Sequence, residues 1–148
     1  MWEVHLYVEA ESITPKRSQR KTMYVLELIR PDKAPAKTKD RMMVVEDTYH
    51  AAILHTIASA LAELKAKNNI DLHIHTRDSF VAACIEKSMQ TWKENGYKKK
   101  DGTPVTNSLL WSSIGMNLDR ILPEGQQAHG HQEQHSYYRW MMEQMKKR

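Results

Sequence analysis

Residues 92–100 read Trp-Lys-Glu-Asn-Gly-Tyr-Lys-Lys-Lys, which sets Lys93, Lys98, Lys99 and Lys100 beside Trp92 and Tyr97. Ammonium groups on a loop anchored by aromatic rings can follow a phosphate backbone. The same pattern also describes a solvated loop with its aromatics packed beneath. A second basic group, Lys16, Arg17, Arg20 and Lys21, lies in another polar stretch. Histidine is the other residue type that gathers. His129, His131 and His135 are close in sequence, and His131/His135 have i, i+4 spacing. On one helix face, with Glu133 nearby, they would offer nitrogen and oxygen donors to Zn²⁺ or Ni²⁺. A polar loop of titratable imidazoles is the alternative. His73 and His75 alternate with Leu72 and Ile74, so they share one strand face. Cys84, among Val81, Ala83 and Ile85, reads as a buried apolar residue. There is no Cys-x-x-Cys, no glycine-rich phosphate loop and no nucleophile elbow.

The elements that must carry these groups follow from periodicity. Val4, Leu6 and Val8 alternate with Glu3, His5 and Glu9, which predicts a first strand over 2–10. Residues 12–21 and 31–39 read as loops around a second strand over 22–30, and Met42 to Val45 as a third. The period then becomes helical from Asp47-Thr48, through Ala51, Leu54, Ile57, Leu61 and Leu64, to about Lys67 and Asn68-Asn69. Ile70 to Thr76 alternates again as a fourth strand. Asp78-Ser79 opens a helical stretch that ends at Asn95-Gly96. Thr106 opens another helix, through Leu109, Leu110 and Ile114. Leu118 to Leu122 is predicted as a short fifth strand, 125–134 as a polar loop, and 135–148 as an amphipathic terminal helix. The order β-β-β-α-β-α-α-β-α gives an α/β fold: a mixed five-stranded sheet with helices packed on it.

The chain has 148 residues, 22 Lys+Arg against 18 Asp+Glu, and one Cys. This length suits a single domain over 1–148. No apolar run is long enough to span a membrane, and no signal peptide is visible at the N-terminus. A lone Cys84 excludes an internal disulfide framework and points to a reducing, cytoplasmic setting. The net charge of +4 is a modest pull toward an anionic partner. Tyr137, Trp140, Met141, Met142 and Met145 make the 137–145 helix apolar over more than one stripe. It is expected to pack on the sheet, or to form a homodimer or protein-partner surface.

Residues 89–111 make a family resemblance specific. Trp92, Gly96, Tyr97, Pro104, Val105, Asn107, Leu110 and Trp111 fall without a gap on the type 1 ribonuclease H pattern. In that pattern a Trp-Lys pair leads to Gly-aromatic-Lys, a basic loop, and then Pro-Val, Asn and Leu-Trp. The chain resembles this family in element order throughout. The resemblance implies that Trp92, Lys93, Tyr97, Lys98, Lys99, Lys100 and Asn107 grip an RNA–DNA hybrid, with Asn107 at a phosphate. Ser88 stands where a second Trp is often found.

The resemblance also implies catalysis by two divalent metals held by four acidic residues. Glu9 falls at the first position, with Ala10 in place of a Gly. Thr48 and Ala60-Leu61 fix a frame that puts Ile53 at the second. Glu46 and Asp47 lie about two turns too early and read as helix N-terminal capping. At the third, Thr76-Arg77-Asp78-Ser79-Phe80-Val81 admits two frames, one placing Arg77 there and one, with a one-residue slip, Asp78. At the fourth, Gly130-His131-Gln132-Glu133-Gln134 resembles the loop before the last helix and puts Tyr138 at the acid; no Asp follows Asp119. Glu9 and Asp78 are therefore the catalytic and metal-binding candidates, and Ile53, Arg77 and Tyr138 replace the other acids. No cofactor is expected, Mg²⁺ or Mn²⁺ being the metal of an active form. The expectation is a ribonuclease H-like module that binds a hybrid or duplex and has lost its nuclease activity. The alternatives are an active hybrid-cleaving nuclease with an atypical acidic cluster, and a non-catalytic interaction or dimerisation module.

Overall fold

A computed structural model of the chain describes residues 1–32, 34–65 and 70–147. Its strands are β1 (Trp2–Ala10), β2 (Ser18–Ile29), β3 (Lys37–Asp47), β4 (Ile70–Thr76) and β5 (His129–Gln132). Its helices are α1 (Tyr49–Glu63), α2 (Ser79–Ala83), α3 (Met89–Glu94), α4 (Ser108–Ile121) and α5 (Tyr138–Lys147), with a π turn at Cys84–Ser88 joining α2 to α3. The sheet order is β3-β2-β1-β4-β5. β1, β2 and β3 form an antiparallel meander, and β4 and β5 add in parallel. The expected mixed five-stranded sheet and element order are therefore present.

Alternation along the central strands sorts the two faces of the sheet. Val4, Leu6, Val8, Leu72 and Ile74 meet Ile53, Leu54, Ile57 and Leu61 of α1 and Trp111, Ile114 and Ile121 of α4 in the main core. On the other face Tyr7, Met23 and Val25 lie under Met141 and Met145 of α5. Burying those two methionines contributes about 1.5–3 kcal/mol each. α5 thus uses its apolar stripe within the chain, while Trp140 stays 40% exposed. Two N-caps anchor the crossover: Thr48 Oγ1 accepts from Ala51 N, and Asp78 Oδ1 accepts from Val81 N.

Several expected boundaries are corrected. Leu118 to Leu122 is not a strand; Leu118 to Ile121 complete α4, because Leu118 and Ile121 continue the helical face begun by Ile114, and Leu122 is its extended C-cap. The fifth strand lies instead at His129–Gln132, inside the segment predicted as loop. β2 and β3 begin earlier than expected and pair over their full length, which brings Arg20, Lys21 and Lys37 into the sheet. α4 starts at Ser108 rather than Thr106, with Asn107 as N-cap in the left-handed region at φ 61°. α5 begins at Tyr138. α1 ends at Glu63, short of the expected end near Lys67, because Leu64 turns extended as its C-cap; residues 66–69 lie outside the described residues.

Candidate functional site

At the carboxyl ends of β1 and β4, Glu9 is wholly buried and both of its oxygens are engaged. Arg77 donates through Nε to Oε2 and through Nη2 to Oε1, each at 2.8 Å. Ala10 N lies 3.0 Å from Oε1. This two-point fork matches the geometry of guanidinium and carboxylate. The bond to Glu9 raises the Arg77 pKa, against the opposing cost of burial. The same guanidinium sits 4.6 Å from the centroid of the Tyr138 ring, at the start of α5. Arg77 is the residue that meets Glu9, while Asp78 turns into the N-terminus of α2. Asp78 Oδ2 also contacts His50 Nδ1. Ile53 is fully buried in the helix–sheet core. Glu46 pairs with Arg17, and Asp47 accepts from Thr48 N at the start of α1. Burial, then the charges of Glu9 and Asp78, push the Tyr49 hydroxyl pKa up, so it stays neutral.

Two Mg²⁺ ions would need several free carboxylate oxygens converging on one space. Glu9 is taken up by the Arg77 guanidinium, itself set against the Tyr138 ring, and Asp78 is already held by a backbone amide and an imidazole. This donor set does not fit a pair of divalent ions.

The lysine-rich segment forms a protrusion between α3 and α4. Lys98 bridges to Pro104, and Lys99 N donates to Thr103 O at 2.7 Å, closing a tight hairpin. Gly96 and Tyr97 both take positive φ, 70° and 61°. Tyr97 tolerates this because its ring is locked against α4: a Cβ added to Gly115 would lie 2.0 Å from its hydroxyl. Trp92 packs at 5.3 Å on the buried Trp111 ring. Lys98, Lys99 and Lys100 are exposed at the tip, whereas Lys93 is ion-paired to Asp119. Asn107 makes no capping bond with its side chain, which leaves its amide available at the N-terminus of α4.

In the other expected basic group, 16–21, Lys16 and Arg17 are exposed, Lys21 is half-buried and Arg20 is buried. Arg20 is buried and donates to the carbonyls of Ser12, Thr14, Lys16 and Asp47 and to Ser18 Oγ, so it fastens the β1–β2 loop. Lys21 Nζ donates to Met145 O, and Arg17 pairs with Asp47. Lys16 and Arg17 are thus the exposed cations of that group, Arg17 in surface ion pairs with Glu46 and Asp47.

The structure regroups the histidines. His131 and His135 do not share a helix: His131 is on β5, and His135 is buried with Nε2 3.1 Å from Val8 O. His129 and His131 instead join His5, His73 and His75 on one sheet face. The register pairs Glu3 with Asp71, His5 with His73, and Tyr7 with His75, then His73 with His129 and His75 with His131. Neighbouring rings stack at about 5.0 Å. The His75 pKa is pushed down to about 3, first by burial and then by the surrounding imidazoles. Asp71 is held below the usual carboxylate range by its bond from His73. Sequence reasoning missed Glu3, His5 and Asp71. Their odd-numbered spacing was visible, but nothing local showed that three strands would align them.

A meander of three strands, a helical crossover to a parallel β4, and helices on both faces define a type 1 ribonuclease H-like fold. No family model matches the chain. Among curated proteins, a ribonuclease H of Rhizobium johnstonii is 39% identical over 62 residues, 42% of this chain and 40% of that one. A ribonuclease H of Rhizobium etli is 36% identical over 69 residues, 47% of this chain and 44% of that one. The matched stretches thus span less than half of these relatives. Among solved structures, LC9-RNase H1, a type 1 RNase H with the type 2 active-site motif, superposes with a TM-score of 0.67 at 14% identity. That match covers 98% of this chain and 71% of the other. The PFV RNase H domain gives 0.59 at 17% identity, over 99% and 90%. The foamy viral protease–reverse transcriptase in complex with RNA/DNA hybrid gives 0.64 at 13% identity, over 99% and 19%. No described helix is long and apolar enough to cross a membrane.

Proposed function

We propose that residues 1–148 act as one ribonuclease H-like domain that binds an RNA–DNA hybrid or a duplex without cutting it by two-metal hydrolysis. The observation that carries this reading is the Arg77–Glu9 fork. A guanidinium occupies both oxygens of the best-placed carboxylate, and its charge repels the cations that the hydrolysis needs. Binding is supported by the protruding Lys98, Lys99 and Lys100, by the aromatics Trp92 and Tyr97 that hold the hairpin, and by Asn107 at the N-terminus of α4, where free amides favour phosphate. The relatives named ribonuclease H, and the hybrid-bound foamy viral protein of the same fold, support a hybrid as the ligand. A single buried Cys84 suits a reducing compartment such as the cytoplasm.

The test pairs binding with cleavage. Fluorescence anisotropy with a labelled hybrid should show salt-sensitive binding, weakened by Lys98/Lys99/Lys100→Ala across all sequences alike. The hybrid's RNA strand should stay intact at high protein concentration with Mg²⁺ or Mn²⁺. Cleavage that Glu9→Gln abolishes would make the chain an active nuclease. Failure to bind any hybrid or duplex at low salt would remove the binding reading.

A further inference from the structure

The amino ends of β1 and β4 carry a second group of donors, on the same sheet face as Glu9 and Arg77 but six residues earlier. At about 3.3 Å per residue that is about 20 Å away. We propose that Glu3, Asp71 and His73, with His5 beside them, bind one divalent transition-metal ion, with Zn²⁺ the best match to the donors.

Three observations carry this. One ligand atom each from Glu3, Asp71 and His73 lies within 4.8 Å of the other two, and all three residues are partly exposed, so an ion can enter. The nitrogens point the right way: His73 Nε2 is 2.9 Å from Asp71 Oδ2, and His5 Nε2 is 3.2 Å from Glu3 Oε1. The far nitrogens are already supported. His73 Nδ1 is 2.7 Å from His131 Nε2, and His5 Nδ1 is 2.8 Å from His75 Nε2. A metal-binding imidazole needs such a partner on its other nitrogen to fix ring orientation. Two carboxylates and one imidazole, with a position left for water, form a mixed nitrogen and oxygen set that suits Zn²⁺ over Mg²⁺, which prefers oxygen ligands and keeps its water. Drawing β1 and β4 together at their open ends, the ion would act as a staple of the sheet.

The experiment uses the full chain freed of metal with a chelator and titrated with Zn²⁺, and with Co²⁺ as an optical probe. We expect one ion per chain, the intense visible bands of tetrahedral Co²⁺, and no displacement by excess Mg²⁺. His73→Gln should weaken binding at least ~10-fold, and His131→Gln by about 10–100-fold. His55→Gln, on α1 at a distant site, should bind as the wild type does. Zn²⁺ should raise the thermal midpoint of the wild type but not of Asp71→Asn, a near-isosteric change that keeps the fold. The proposal is overturned if the chain holds no ion at millimolar Zn²⁺. It is equally overturned if His73→Gln and Asp71→Asn bind as tightly as the wild type, or if His55→Gln weakens binding as much as His73→Gln.

Discussion

Arg77 is the side chain on which the chemistry of the Glu9 site turns. Removing one partner of a buried ion pair leaves the other charge stranded in a medium that cannot solvate it. Arg77→Met should therefore destabilise the protein by about 3–5 kcal/mol in urea unfolding. The double variant Glu9→Leu/Arg77→Met should recover much of that loss, because no charge is then left buried. A second test at this scale concerns His135. Its ring is buried against Tyr7 and faces Glu9, Glu133 and Arg77, and burial lowers its pKa from the usual 6.5. Above that value the imidazole is neutral in both folded and unfolded chains. Below it the unfolded chain takes the proton first, so the stability that neutral His135 contributes is lost as pH falls. Urea midpoints measured between pH 7.5 and 5 should thus decline less steeply in His135→Gln than in the wild type.

Among the elements, β5 is the one whose existence depends most on its neighbours. His-Gly-His-Gln has little strand propensity, and its pairing with β4 provides the backbone bonds. Gly130 lets it approach α2: a Cβ there would lie 2.2 Å from Ala82 O, against backbone that cannot rotate away. Gly130→Ala should cost about 1–3 kcal/mol through overpacking and should loosen β5 before the rest of the sheet. Hydrogen exchange at His129 to Gln132 reads this directly. The same element explains why Leu118 to Leu122 reads wrongly in isolation. Five residues with three apolar positions satisfy a short strand and a helix end equally, and only the packing of Leu118 and Ile121 of α4 into the main core decides.

For the molecule as a whole, the placement of charge outweighs its total of +4. Arg20, Lys21, Arg17, Lys93 and Arg77 are each tied to a partner within the chain, while Lys98, Lys99 and Lys100 stand together at the exposed hairpin tip, where the binding reading places the phosphate contacts. Each phosphate contact releases counterions and adds about 0.7–0.9 to the slope of log affinity against log salt. Lys98/Lys99/Lys100→Ala should lower that slope by up to about 3. Substituting Lys16, remote on the β1–β2 loop, should change it by less than 1 unit, on the order of a single screened contact. Both are measured by anisotropy titrations across a salt series.

Much of this protein was legible in its residues alone. The alternation of Val4, Leu6 and Val8 and of Ile70, Leu72 and Ile74, and the helical spacing from Ala51 to Leu61, determined the element order, because periodicity is written into neighbours along the chain. The lysines and aromatics of 92–100 were likewise visible, since loop chemistry is local. The tertiary structure decided what depends on register and reach. Arg77 meets Glu9 across 68 residues, Arg20 turns inward to five oxygen acceptors, and five histidines from three strands come to share one face. No local pattern encodes these pairings: a shift of one residue in a strand would send each of these side chains to the opposite face.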